Sequence, residues 1–425
     1  MSKSLPTAPN LEHLKKQAKS LLKSHKNHNP ECCETLKLLH QLSKLNNDAV
    51  FDAKVTLNEA QLALALSYGF KSWPELKRQV LRKTDNLKFL HIHCGDASAQ
   101  PLRDSSIPGD LLVWREIYLE GPVPGNLPDD DFCKVRAKYL SSLPGMAVTY
   151  ESILEGNRTR YDMLAGAGKY EEVVLWFDSC MFDQTIMIHV IDLCAKHNWP
   201  DTKLSLICVD QILGRLTEND LVALLNARHT ITPNEILLAH AAWQAFTSDD
   251  PKNIEDVLQE DCSALPFLRD ALLRHLEQYP STTNGLNRTQ NQILKVVETG
   301  TGKLIDIFRA VVAMEQRPFI GDTSLWARIE ELAEQTNPLL KLDGPGRILE
   351  NLQMDPENYV PLTRKQLQQW DVSLTDTGRS VLAGEQDYIH LNGIDRWLGG
   401  VHLQGDEARW RWDQQKLVQL STSTT

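Results

Sequence analysis

The chain has 425 residues, 42% of them hydrophobic and 24% charged; this globular composition excludes wholesale disorder, collagen-like and coiled-coil designs, and the length predicts two to four domains. The longest apolar runs, such as Val173 to Phe177, span five residues where a bilayer needs about 20, and Met1-Ser2-Lys3-Ser4-Leu5-Pro6 lacks an apolar signal core, so neither a membrane span nor that export route is expected. The net charge of −11 divides unevenly: residues 1–84 hold 14 basic and 7 acidic side chains, a balance of +7, which leaves −18 on the remainder. Phosphate is repelled by most of such a molecule, so only the basic head is a candidate for RNA or an acidic protein partner, its lysine face otherwise being a solvated helix face. Eight cysteines without a C-x-x-C pair fit reduced thiols in a cytosol.

Residues 1–84 read as a basic helical bundle. Leu11, Leu14, Ala18, Leu21 and Leu22 follow helical spacing, with Lys15, Lys16, Lys19, Lys23 and Lys26 mostly opposite them. Asn29-Pro30 opens a second helix through Leu45, and capping boxes are expected at Thr56 with Glu59 and at Ser72 with Glu75. From residue 86 to 215 the pattern becomes α/β: strands at Leu87–Cys94, Leu111–Trp114, Val173–Phe177 and Leu204–Val209, the last following a helix over Thr185–Lys196. A helical connector covers 216–280, with an N-cap, N1 proline and capping glutamate in Thr232-Pro233-Asn234-Glu235. After the linker Pro280-Ser281-Thr282-Thr283-Asn284-Gly285, residues 285–391 read as three helices and two strands, a winged-helix-like domain whose third helix starts near Asp322 and ends before Pro338. The tail, 392–425, reads as a Gly-turned β-hairpin formed by Asp395–Leu403 with Trp410–Asp413. The fold class is thus α/β (α+β overall), with a Rossmann-like layer between helical units.

Two resemblances join these elements. Leu11-Glu12-His13-Leu14-Lys15-Lys16-Gln17-Ala18-Lys19, with Ala60-Gln61-Leu62 and the close Tyr68-Gly69-Phe70-Lys71-Ser72-Trp73-Pro74, resembles a helical leader found before ankyrin repeats in bacterial proteins, although no 33-residue repeat follows here. His91-Ile92-His93-Cys94-Gly95-Asp96-Ala97-Ser98-Ala99, the turn Glu120-Gly121-Pro122 and the tail Arg396-Trp397 with Gly399-Gly400 and His402-Leu403 resemble the bacterial family of domain of unknown function 1835, from Leu87 to the C-terminus. That resemblance implies an α/β unit followed by helices. It implies no activity.

In an open α/β sheet, ligands sit outside the carboxyl ends of the strands. Those ends offer His93, Cys94, Gly95 and Asp96, then Glu116 and Glu120, then Asp178, Ser179 and Asp183. Gly95 permits close backbone approach, and the free N–H groups near Ser98 could hold an anion. Neither a dinucleotide fingerprint nor a P-loop is present. Asp96 opposes a bare phosphate unless Mg²⁺ bridges acid and phosphate, with Asp96 and Asp178 as candidate metal ligands, joined by Glu116 and Asp183 as acid groups. Competing readings make Asp96 a helix N-cap, Glu116 and Glu120 solvated edge and turn positions, and His93 a satisfied buried histidine; capping explains one of Asp178 and Asp183 but not both. Cys94 cannot pair with His93, because adjacent strand residues face opposite ways. Ser98 and Ser179 lack a nucleophile-elbow context. Arg396, Trp397 and His402 form either a ligand clamp or a hairpin closing its own core. The expectation is a small-molecule site for a nucleotide or phosphate, with Mg²⁺ as its possible ion. The alternative is a non-enzymatic interaction or regulatory protein using the head and the winged-helix-like unit. Net charge −3 on the segment Asp322–Glu334 argues against specific duplex DNA binding.

Overall fold

The computed structural model describes residues 5–6, 9–84, 88–144, 148–352 and 362–420. The expected strand start Leu87 and the first four residues lie outside them. In chain order the head holds α1 (Leu11–Lys26), α2 (Glu31–Leu36), α3 (Asn47–Asp52), α4 (Leu57–Ser67) and α5 (Trp73–Thr84). There follow β1 (Phe89–Cys94), α6 (Asp96–Asp104), β2 (Asp110–Trp114), α7 (Asp129–Ser141), α8 (Tyr150–Ala165), β3 (Glu172–Asp178), α9 (Met181–Lys196), β4 (Lys203–Val209), α10 (Glu218–Ala227) and β5 (His229–Thr230). Next come α11 (Pro233–Thr247), α12 (Lys252–Gln259), α13 (Leu268–Leu276), α14 (Arg288–Glu298), α15 (Leu304–Ala313) and α16 (Asp322–Ala333). The chain closes through β6 (Leu340–Asp343), α17 (Arg364–Leu367), β7 (Asp371–Leu374), α18 (Asp376–Leu382), α19 (Tyr388–Asn392), and strands β8 (Ile394–Leu398), β9 (Val401–Gly405), β10 (Trp410–Trp412) and β11 (Leu417–Gln419).

These elements divide into two compact units. One takes residues 1–115, 166–177 and 198–230; the other takes 116–165, 178–197 and 231–425.

In the first unit, Leu14 and Ala18 of α1 pack with Leu64, Ala65, Leu76 and Val80, while Cys32, Cys33, Leu36, Leu39 and Val50 form a second small core. The Thr56–Glu59 box caps α4 as expected. At α5, Ser72 caps Glu75, but the Glu75 carboxylate reaches the Lys71 N–H rather than that of Ser72. The second head helix stops at Leu36, short of Leu45: beyond it the backbone tightens into i→i+3 turns that bury Leu39 and Leu42. The sheet has the order β2-β1-β3-β4-β5. β1 runs parallel to both β2 and β3, and His93 stands opposite Val113 on one side and Trp176 on the other. β3 is buried throughout its seven residues, as an unbroken apolar run at a sheet centre requires. The two-residue β5 adds an antiparallel edge on β4. Leu102 of α6 and Leu221 of α10 cover one sheet face with Val174, Trp176 and Ile207.

In the second unit, α9 packs on α11 and α13, and α7 on α8. The run from α14 to β7 has the expected order of three helices and two strands, with α17 between the strands, and β6 pairs antiparallel with β7. One core joins Ile293, Ile307, Trp326, Leu340, Trp370 and Val372. The tail forms two hairpins rather than one: β8 pairs with β9 across the Gly399-Gly400 turn, and Trp410–Trp412 pairs with Leu417–Gln419. Among the described residues no helix is long and apolar enough to cross a membrane.

Candidate functional site

After β1 the chain leaves the sheet for β2 on one side and returns as β3 on the other, so the switch point of the sheet lies at the carboxyl end of β1. His91 and His93 share one face of that strand. His91 accepts from Trp176 Nε1 at 3.1 Å and donates through Nε2 to the Pro108 carbonyl at 3.0 Å. His93 is fully buried; its Nδ1 donates to the Cys94 carbonyl at 3.1 Å, and its Nε2 has no partner among the described residues. Burial pulls both imidazoles down to about 4, so both are neutral near pH 7.

Gly95 then turns the chain with φ of 60°, a region L side chains seldom adopt, and serves as the N-cap of α6 without a side-chain cap. Asp96 is therefore the first helical residue and not the cap. Its carboxylate takes Arg115 bidentately, Nε at 2.6 Å and a terminal nitrogen at 3.0 Å, and Arg103 at 2.8 Å. Burial alone would raise its pKa, but the Arg115 and Arg103 hydrogen bonds hold it below the usual carboxylate value. Both oxygens are committed to guanidinium, which leaves Asp96 poorly placed as a metal ligand and gives the α6 N-terminus two positive charges against one negative. Ser98 lies partly buried in the first turn, where Gly214 packs against the Ala97 carbonyl.

The remaining candidates belong to the second unit. Glu116 is not a solvated edge position: it is buried because Arg136 of α7, itself wholly buried, pairs with it at 3.0 Å. The same guanidinium donates to the carbonyls of Ile117, Glu120 and Pro122, so the Glu120-Gly121-Pro122 turn is built around an arginine. The Glu120 carboxylate accepts from Tyr139 at 3.4 Å. Asp178, Cys180 and Asp183 bring three ligand-type atoms within 4.8 Å of one another. Each also shapes the strand-to-helix turn: Cys180 caps α9, Asp178 accepts from the Cys180 N–H, and Asp183 accepts from the Asp178 N–H. Burial, with both aspartates adding to it, pushes the Cys180 thiol far up, so it is held protonated. Turn hydrogen bonds thus engage both aspartates, while the cap itself is Cys180. Arg396 pairs with Glu331 at 3.0 Å and lines a cavity of about 440 Å³; Trp397 stacks on His402 and lines another of about 570 Å³.

Sequence reading missed Arg103 and Arg115, the groups that define the charge beside Gly95. Arg103 sits seven residues after Asp96, two helical turns along the same face, which was the available signal. No protein-family model matches the chain, and no curated protein matches it.

Proposed function

We propose that the first unit binds a small phosphate-bearing ligand, a nucleotide or simple phosphate ester, outside the carboxyl ends of β1 and β2. The observation that carries this reading is the pair Arg103 and Arg115 gathered at the uncapped N-terminus of α6 immediately after Gly95. A helix start, a glycine with positive φ and two guanidiniums are what a phosphate requires, and two cations outweigh the carboxylate that would repel it. On this reading Asp96 holds the arginines until the anion competes for them. Mg²⁺ is not needed to overcome Asp96, although it remains one arm of the test.

The test is a thermal-shift panel on the full chain with inorganic phosphate, AMP and ATP, each with and without Mg²⁺. A ligand bound only by the native state stabilises it by roughly 2.7 kcal/mol at a hundredfold excess over Kd, a shift of several degrees. The shift is expected in the native chain and is lost in Arg115→Ala and reduced in Arg103→Ala. Flat responses throughout would overturn the phosphate reading and favour the alternative, a non-enzymatic interaction or regulatory protein that engages partners through residues 1–84 and the winged-helix-like unit.

A further inference from the structure

The second unit carries a groove of about 570 Å³, walled by the 124–126 loop, the end of α11 and its following turn, α12, and the β8–β9 hairpin. Its polar lining is one-sided. It presents the carboxylates of Asp249 and Asp256 and the amides of Asn126, Gln244 and Asn253, with no lysine, arginine or histidine. Both aspartates are exposed, and among the described residues neither has an ion-pair or hydrogen-bond partner. The nearest cation in sequence, Lys252, is spent elsewhere, on Glu255 at 2.7 Å and the Leu417 carbonyl at 2.6 Å.

Beside these charges stands an indole. Trp397 stacks on His402 with centroids 4.2 Å apart and planes 12° from parallel, and Asp395 holds the His402 Nε2 at 2.7 Å. The indole is partly exposed and borders the groove. The Gly399-Gly400 turn fixes it there: the Gly400 N–H donates to the Phe246 carbonyl at 3.0 Å, the Gly399 carbonyl accepts from Val123, and a Cβ at either glycine would overlap a carbonyl of the α11 end.

We propose that this groove binds a small organic dication, a linear diamine or polyamine, with its ammonium groups paired to Asp249 and Asp256 and its chain lying on Trp397. Two uncompensated carboxylates ask for two positive charges. Amide oxygens accept further N–H donors, and tryptophan is the best aromatic partner for a cation. The volume falls within the range of small-molecule sites. Anions are excluded by the same charges, so this site is independent of the phosphate site. Because the carboxylates are exposed, binding weakens as salt rises.

Spermidine is titrated calorimetrically into the full chain at ~0.05 M salt. The expected result is saturable binding, at least tenfold weaker in Asp249→Asn/Asp256→Asn and at least threefold weaker in Trp397→Leu. The control Asp48→Asn/Asp52→Asn removes the same charge from exposed positions of the head and leaves binding unchanged. A flat titration overturns the proposal. So does equal weakening in the control, which would mean diffuse attraction to a chain of net charge −11. If Trp397→Leu fails to fold, the two exposed aspartates still decide the matter.

Discussion

His91, His93 and His275 are each buried and held neutral, with pKa values pulled from 6.5 down to about 4. The unfolded chain takes up protons on these rings below about pH 6.5, and the native chain does not until about pH 4. Their contribution to stability is therefore fully present above pH 6.5 and is lost as pH falls through that window, at a slope approaching 1.4 kcal/mol per pH unit for each ring. Urea midpoints measured from pH 7 to 4.5 should fall steadily, and His93→Gln should flatten the slope; a stability independent of pH over that range would contradict the assignment. Asp96, held below its usual pKa, acts in a lower window, losing its contribution as pH falls below about 4. Arg136 is fully committed, satisfying Glu116 and three carbonyls with no exposure of its own. Arg136→Ala leaves Glu116 buried with the Ile117 N–H at 3.3 Å and the more distant Arg160 at 3.8 Å, and should cost about 3–5 kcal/mol in denaturant melts. At this scale the sequence showed which residues could be ligands but not which were already paired. Nothing local tells that Arg136 lies 20 residues from its carboxylate in chain yet 3.0 Å from it in space, or that Arg115 turns back to Asp96.

Elements were legible where a periodic pattern met punctuation. The four longer strands of the main sheet fall within two residues of their expected bounds, and Thr232 with Pro233 and Glu235 starts α11 where the capping motif placed it. The fifth strand, His229–Thr230, has two exposed residues and leaves no hydrophobic trace. The same is true of the groove carboxylates: Asp249 and Asp256 flank the start and end of a polar stretch that reads as loop and solvated helix. The Gly399-Gly400 turn is a different case, since its sequence announced a hairpin but not its seat. Its backbone approaches Phe246 and Thr247 so closely that no methyl fits. Gly400→Ala should therefore destabilise the chain by about 1–3 kcal/mol through backbone displacement, measured by thermal or urea melts. An effect within ±0.5 kcal/mol would show that the seat yields.

For the whole molecule the decisive quantity is where charge lies and what already occupies it. The third helix of the winged-helix-like run, α16, the one a DNA groove would have to receive, buries Leu325, Trp326, Ile329 and Leu332. Its Glu330 accepts from the Ile348 and Leu349 N–H groups, and its Glu331 pairs with Arg328 and Arg396. A helix so engaged in its own unit, and acidic besides, makes a poor reader of phosphate-lined bases. Anisotropy at ~0.15 M salt should show no preference for any duplex over scrambled competitor. Residual binding should fall with salt and vanish when Lys16, Lys19, Lys23 and Lys26 of α1 are replaced by glutamine. Selective retention of one duplex would reverse the conclusion.

The path of the chain through its two units also bears on its birth. Three separate stretches build each unit, and β3, the strand between β1 and β4, is made only after residues 116–165 of the other unit. On the ribosome β1 and β2 thus emerge with an unpaired β1 edge, and the pair, complete at Trp114, waits until Glu172 for β3 to begin. Meanwhile α7 and α8, which pack on each other, wait for His189 of α9 and then for the remainder of their unit beyond residue 230. Vectorial synthesis cannot finish one unit before beginning the next, so nascent chains carry exposed apolar surface until late in translation, and no single proteolytic cut releases either unit whole.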